Sequence, residues 1–441
     1  MEHASHHIAN WQYNIAIAIF LVTYAIIISE KINRAVIALL GASVMLILGI
    51  VDLQTAFTTH IQWETITLLI GMMILVNITS KSGVFEYAAI KAAKAAKGNP
   101  VRILILLSLI TAVGSAFLDN VTTVLLIVPV TLSITRMLRV DPVPYLISEV
   151  LFSNIGGTAT LIGDPPNIMI GSANKHLDFN AFLFNLTPIV CIIAVVTVII
   201  LYFIYRNKLI TTPEQIEKLM KLQESDYIRD RSLMTKSLSV LGATIVGFIL
   251  HSVIGVEAAV VAITGATILM LIAVKQHELE DIFASIEWVT IFFFAGLFVL
   301  VGALVDIGLI TSLAHKVLAI TGGNLNFAAV LILWVSGAAS ATIDNIPFVA
   351  TMIPLIKDLA HGLGLSPNSP QIEVLWWALS LGACLGGNGT LIGASANVVV
   401  AGIAKREGHS FSYMDFLKIG LPLTIVALLL SHLYIYLRYL M

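Results

Sequence analysis

Four carboxylates stand where an apolar chain has least reason to keep them. Asp119 and Asp344 each precede an asparagine, Asn120 and Asn345, in short polar breaks between apolar stretches. Glu149 and Asp164 lie inside otherwise apolar segments. An ionisable group within a membrane span is costly and is by default a functional candidate, as a proton carrier or a cation ligand. The bland alternatives are specific. Asp119 and Asp344 can cap the helices that follow them by accepting free amides. Glu149 can sit near the cytoplasmic interface, and Asp164, before Pro165 and Pro166, can stabilise a turn.

The polar groups around these carboxylates come in duplicate. The stretch Gly156-Gly157-Thr158-Ala159-Thr160-Leu161-Ile162-Gly163-Asp164-Pro165-Pro166-Asn167 aligns without a gap on Gly386-Gly387-Asn388-Gly389-Thr390-Leu391-Ile392-Gly393-Ala394-Ser395-Ala396-Asn397 at an offset of 230 residues. Asp119-Asn120 pairs with Asp344-Asn345, Pro129 with Pro354, Gly71 with Gly296, and Ile61-Gln62-Trp63 with Ile286-Glu287-Trp288. Matches in the same order mark a duplicated unit. Polar breaks at matching places in two halves of a transporter are the best sequence pointer to a binding site. The breaks are rich in glycine, a φ-permissive residue that predicts backbone conformations other residues rarely adopt. They offer carbonyls, amides and hydroxyls to a small solute, and Asn167 and Asn397 close them. The candidate substrate groups of the breaks are therefore Gly157, Thr158, Thr160, Asn167, Gly387, Asn388, Thr390 and Asn397. Asp119, Asp344, Glu149 and Asp164 are the candidates for proton or ion coupling. The copies differ at Asp164, which answers to Ala394, and at Glu149, which answers to Leu379.

The elements that must position these groups are membrane helices. Hydrophobic residues make up 58% of the 441, charged residues 11%, and the mean hydropathy is +0.96, which excludes an ordinary soluble domain. The pattern predicts an all-α polytopic membrane protein of two repeats, residues 1–206 and 237–441, joined by a polar cytoplasmic linker at 207–236 with a helix start at Thr212-Pro213-Glu214. Each repeat has five spans, a surface arm (Val84–Lys97 or Gly308–Ile320), a hairpin (about 101–138 or 326–361) and a broken span (about 143–173 or 372–403). If the hairpins are re-entrant, twenty of the 24 Lys and Arg residues fall on one side, as the positive-inside rule requires with both termini outside. Five crossings is an odd number, so the repeats are inverted and the hairpin tips can meet near the midplane. Trp63 and Trp288 take matching interface positions.

Other features carry less. Cys191 and Cys384 make neither a disulfide framework nor a thiolate cage. No phosphate-loop, nucleotide-binding or zinc-protease motif is present. An intramembrane aspartyl hydrolase using Asp119 and Asp344 fails on its glycine-x-glycine-aspartate signature, since Leu161-Ile162-Gly163-Asp164 has leucine where the first glycine is needed. We expect no cofactor, no bound metal, no nucleic-acid partner and no enzymatic activity. The cluster His3, His6 and His7 is a weak metal candidate. Glu64, Glu86, Asp306 and His251 fall at span ends or on an arm, where solvated positions are the default.

The duplicated motif, with Gly163-Asp164-Pro165-Pro166-Asn167, resembles the ion transporter superfamily, and most closely its branch of arsenite permeases and the pink-eyed dilution protein. The resemblance runs over essentially the whole chain. It implies a scaffold of outer spans and a mobile part built of hairpins and broken spans. Substrate would lie between the tips and the breaks, at Asn120, Thr122, Thr158, Thr160, Asn345, Asn388 and Thr390. The Ser-Asn-Thr signature of dicarboxylate carriers is missing from both tips, which read Asp119-Asn120-Val121-Thr122 and Asp344-Asn345-Ile346-Pro347. No basic residue is expected near either tip. Both points speak against a carboxylate anion.

The expected function is proton-coupled efflux of arsenite or antimonite by alternating access across the inner (plasma) membrane. Trivalent arsenic is a neutral trihydroxide at pH 7 and suits hydroxyl and amide ligands. A sodium/proton antiporter is the alternative, and a citrate-like organic-anion carrier a further one. A homodimer and a soluble ATPase subunit are the candidate protein partners, beside the lipid bilayer.

Overall fold

A computed structural model describes residues 10–29 and 31–441, all helix and connections, with no strand among them. His3, His6 and His7 lie outside the described residues. Nine of the described helices are long and apolar enough to cross a membrane.

The chain opens with α1 (Asn10–Ser29), α2 (Arg34–Ile47), α3 (Trp63–Ser80) and the arm α4 (Val84–Ala95). A first hairpin follows, α5 (Pro100–Phe117) and α6 (Asn120–Leu138), then a broken span, α7 (Val143–Gly157) and α8 (Pro165–Ala173), and then α9 (Phe179–Tyr205). The linker holds α10 (Pro213–Met220). The order then recurs as α11 (Arg231–Ile254), α12 (Ala258–Ala273), α13 (Trp288–Asp306) and the arm α14 (Leu309–Thr321). The second hairpin is α15 (Leu325–Thr342) and α16 (Asn345–Gly362), the second broken span α17 (Pro370–Gly386) and α18 (Ser395–Arg406), and α19 (Tyr413–Ile435) closes the series. The segments between α2 and α3 and between α12 and α13 also coil, as a π turn at Ala56–His60 and a short helix at Leu279–Ala284.

The local chemistry of the two halves matches. Asn99 caps α5 by accepting from the Arg102 amide at 3.0 Å, and Asn324 caps α15 by accepting from Phe327 at 3.1 Å. Such caps stabilise a helix by about 1 kcal/mol. The indole of Trp63 donates to the Phe57 carbonyl at 2.8 Å and that of Trp288 to Phe283 at 3.1 Å. Packing between the halves is reciprocal: α3 lies on α12, and α13 lies on α2. A Cβ on Gly71 would come 2.7 Å from the Ala262 backbone, and one on Gly296 would come 2.7 Å from Ala38. These helices and α1 and α11 form one group. The hairpins and broken spans form another, in which α5 packs on α7 and α15 on α17.

Ion pairs and hydrogen bonds gather the ends of these elements. Thr211 in the linker donates to the Leu138 carbonyl at the base of the first hairpin (2.6 Å), and Arg136 pairs with Glu407 just after α18 (3.0 Å). Arm and linker are tied by Arg229–Glu86 at 2.8 Å and Lys94–Glu224 at 2.5 Å. The hydrogen bond from Lys94 holds the Glu224 carboxyl below the usual carboxylate range. Elsewhere Lys357 of the second hairpin donates to the Ala173 carbonyl at the end of α8 (2.8 Å), beside Lys175, which pairs with Glu257. One expected solvated residue is not solvated. His251 is buried because Nε2 accepts from the Phe179 amide (3.3 Å) and Nδ1 donates to the Val256 carbonyl (3.0 Å).

Candidate functional site

The tips of both hairpins converge on one carboxylate. Asn120 Nδ2 lies 3.4 Å and Asn345 Nδ2 3.5 Å from the same oxygen, Asp164 Oδ1. Asp164 is fully buried, and its other oxygen, Oδ2, has no hydrogen-bond partner. It starts α8 without capping it, since its side chain takes no amide of that helix. Asp164 borders a chamber of about 20 Å³, shared with Asp119, Asn120, Glu287, Thr290 and Asn345. A buried polar atom without a partner is costly, so Oδ2 is an unsatisfied acceptor on a residue that borders the chamber.

Asparagines build the frame around it. Asn154, one turn before the first break, accepts from Asn120 Nδ2 at 2.9 Å and donates to Asn388 Oδ1 at 2.8 Å and Asn397 Oδ1 at 3.1 Å. Asn167 donates to the carbonyls of Thr158 (3.2 Å) and Thr160 (2.9 Å), and Asn397 to those of Gly387 (2.8 Å) and Thr390 (2.9 Å). The carbonyls freed by each break are thus bound by an asparagine from the helix that follows. Asn167 Oδ1 in turn accepts from Ser380 at 2.5 Å, so each closing asparagine reaches the other half's broken span. Replacing Asn154 with alanine would strand the amide oxygens of Asn388 and Asn397 in a dry interior and leave Asn120 Nδ2 only Asp164. We expect a loss of about 2–4 kcal/mol, measurable as reduced thermal stability in detergent.

Several candidate substrate groups are occupied in this frame. Thr160 donates to the Ala116 carbonyl, and its counterpart Thr390 to Ala341 at 2.5 Å, so both staple a break to a hairpin. Thr158 donates to its own helix at Asn154 (2.7 Å), and Asn388 Nδ2 to the Leu151 carbonyl at 3.0 Å. Asp119 caps α6 through the Thr122 amide at 2.9 Å and also accepts from the Thr122 hydroxyl. Asp344 caps α16 through the Ile346 amide at 3.1 Å. Glu149 is fully buried, one oxygen bonded by Thr131 and the other without a partner, and it does not border the chamber.

Two physical expectations change. The glycines of the breaks are absent from the positive-φ residues. They serve close approach: a Cβ on Gly156 would lie 2.1 Å from the Ala112 carbonyl oxygen, one on Gly157 2.6 Å from that of Gly163, and one on Gly387 3.1 Å from Gly393. The second concerns charge. A basic residue does adjoin a tip: Arg34 Nη1 stands 2.8 Å from Asp344 Oδ2 and 2.6 Å from the Ser395 hydroxyl. It comes from 310 residues away, so adjacency in sequence could not show it. Glu287, which borders the chamber and accepts from Thr290 at 3.1 Å, was also missed as a site residue. Its counterpart Gln62 accepts from Thr65 at 3.2 Å but carries no charge.

Comparison with known proteins agrees with this architecture. The family described as CitMHS, citrate transporter, matches residues 24–382. A 46 kDa membrane protein of Mycobacterium leprae is 46% identical over 429 residues, covering 97% of this chain and 99% of its own length. An uncharacterized transporter of Mycobacterium tuberculosis is 44% identical over 428 residues, covering 96% and 98%. The P protein of Homo sapiens is 38% identical over 496 aligned residues, covering 94% of this chain and 59% of its own length. The crystal structure of the YdaH transporter of Alcanivorax borkumensis matches with a TM-score of 0.57 over 97% of both chains at 14% identity, a likeness of fold.

Proposed function

The chain belongs to the citrate transporter family of multi-pass membrane transporters, and we propose that it is a proton-coupled secondary transporter working by alternating access. In this reading residues 1–206 and 237–441 are inverted repeats. Each has five spans and one re-entrant hairpin, both termini lie outside the plasma membrane, and 207–236 lie in the cytoplasm. The contacts support inversion. The base of the first hairpin meets the end of α18, the second hairpin meets the end of α8, and the tips meet at Asp164 between them.

The observation that carries the coupling is the position of Asp164. It is bound by both tips through one oxygen, its other oxygen has no partner, and the residue borders the chamber. A proton arriving there changes the charge at a point to which both hairpin tips are bonded, so protonation and hairpin position are linked. The cargo that fits best is a small neutral polyhydroxylated solute of the arsenite or antimonite kind, moved outward against protons. The guanidinium of Arg34 does not restore the case for an anion, because Asp344 and Ser395 already engage it. A sodium/proton antiporter is the second reading, favoured by Asp119, Asp164 and Glu287 around one chamber.

Transport in everted vesicles with a proton-sensitive dye tests both. Arsenite or antimonite should dissipate an imposed pH gradient. Dissipation by sodium alone would select the antiporter, and dissipation by citrate alone would overturn both readings.

A further inference from the structure

A crevice of about 310 Å³ runs along the start of α2 to the second hairpin tip, bordered by Lys31, Asn33, Thr342, Asp344 and Ser395. It stops short of the chamber at Asp164. Among the described residues, Arg34 and Ser395 alone border both spaces. Arg34 is held on three sides: by Asp344 at 2.8 Å, by Ser395 at 2.6 Å, and by the face of the Phe293 ring, whose centroid is 4.9 Å from the guanidinium carbon. Ser395 also donates to Asp344 Oδ2 at 2.8 Å, which completes a closed triangle of polar groups.

The triangle joins two bodies. Arg34 and Phe293 belong to the packed pair α2 and α13, whereas Asp344 heads α16 and Ser395 heads α18. It has no counterpart on the other tip. The pairing of Ala38 with Ala262 through the reciprocal glycine contacts puts Ala258 opposite Arg34, and Pro165 stands where Ser395 does. One aspartate of the two is therefore tied to the neighbouring body by an ion pair and the other is not.

We propose that Arg34 is the gating residue of this crevice. Held by Asp344 and Ser395, it separates the crevice from the chamber, and its release opens the way between them. The gate rests on the reading of the chamber as the transport site. It is asymmetric, acting from the side on which α1 joins α2. A partly buried pair between mobile bodies suits this role, since closing it needs no apolar surface and opening it needs only one side chain to turn away.

Cysteine labelling in liposomes tests the gate without requiring transport. On a Cys191→Ser background, with Cys384 fully buried, Thr290→Cys reports the chamber and Thr342→Cys the crevice. A small impermeant cationic methanethiosulfonate is the probe. Arg34→Ala should speed labelling at 290 by roughly ten-fold or more, leave 342 unchanged, and be largely reversed by Arg34→Lys. Asp344→Asn should open the gate in the same way. Equal rates at 290 with and without Arg34, or a parallel rise at 342, would overturn the gate. Failure of every solute in the vesicle assay would overturn the transport reading and leave the labelling result standing.

Discussion

Asp164→Asn is expected to abolish proton-driven transport while the protein folds and the chamber keeps its shape. The amide oxygen can still accept from Asn120 and Asn345, which stand 3.4 and 3.5 Å from the carboxylate oxygen it replaces. What disappears is the ability to gain and lose a proton at the point where the tips meet. Removal of a proton-carrying group costs a factor of about 10² or more, so flux driven by a pH gradient should fall by at least that much. Exchange of cargo in the absence of a gradient should persist, because asparagine imitates the neutral carboxyl. Asp119→Asn serves as the contrast. Both oxygens of Asp119 are used by Thr122 at the start of its own helix, so its loss should cost about 1 kcal/mol of capping and leave coupling in place. Measuring gradient-driven uptake and counterflow side by side on the two variants separates the roles. Full proton-coupled flux in Asp164→Asn would end the case for this carboxylate as the carrier.

Much of this site was legible because duplication leaves its mark on polar residues in an apolar chain. Asp119-Asn120 and Asp344-Asn345 are found at hairpin turns, and Gly156–Asn167 and Gly386–Asn397 at helix breaks, because each interrupts an apolar run long enough to be helical. Trp63 and Trp288 appear at matching places for the same reason. Arg34 was not legible as a site residue. On the sequence it is one of many basic residues flanking spans, and only the folding of α2 against α13 brings it to Asp344. Asn154 escaped as well. It sits two residues before a glycine pair that drew attention to itself, and its three partners come from both halves of the chain. The glycines show the sharpest limit. A glycine kept for a left-handed backbone and one kept for close helix contact look identical in sequence, and their neighbours alone tell them apart.

That distinction gives the largest expected effect on stability. Gly156→Ala would set a methyl group 2.1 Å from the Ala112 carbonyl oxygen and 2.5 Å from the Ala112 Cα. Neither backbone can yield easily. Ser115 on α5 donates to the Ser153 carbonyl on α7 at 2.6 Å, and Thr160 in the break is bonded to Ala116, so α5 is stapled both to α7 and to the break close to the contact. Overpacking in a dense interior costs about 1–3 kcal/mol when side chains can adjust, and here the obstacle is backbone, so a loss above about 3 kcal/mol is expected. Gly386→Ala meets Gly337 at 2.6 Å and should follow in the same direction with a smaller loss. Gly242 and Gly402 supply the control, since each lies inside a helix with open space where a Cβ would go. Alanine at either should raise stability by about 0.5–1 kcal/mol or leave it unchanged. Thermal unfolding in detergent ranks the four variants. If Gly156→Ala melts with the Gly242→Ala protein, the first hairpin and its broken span are not held as one unit, and a tip that drifts from its break cannot keep Asn120 on Asp164.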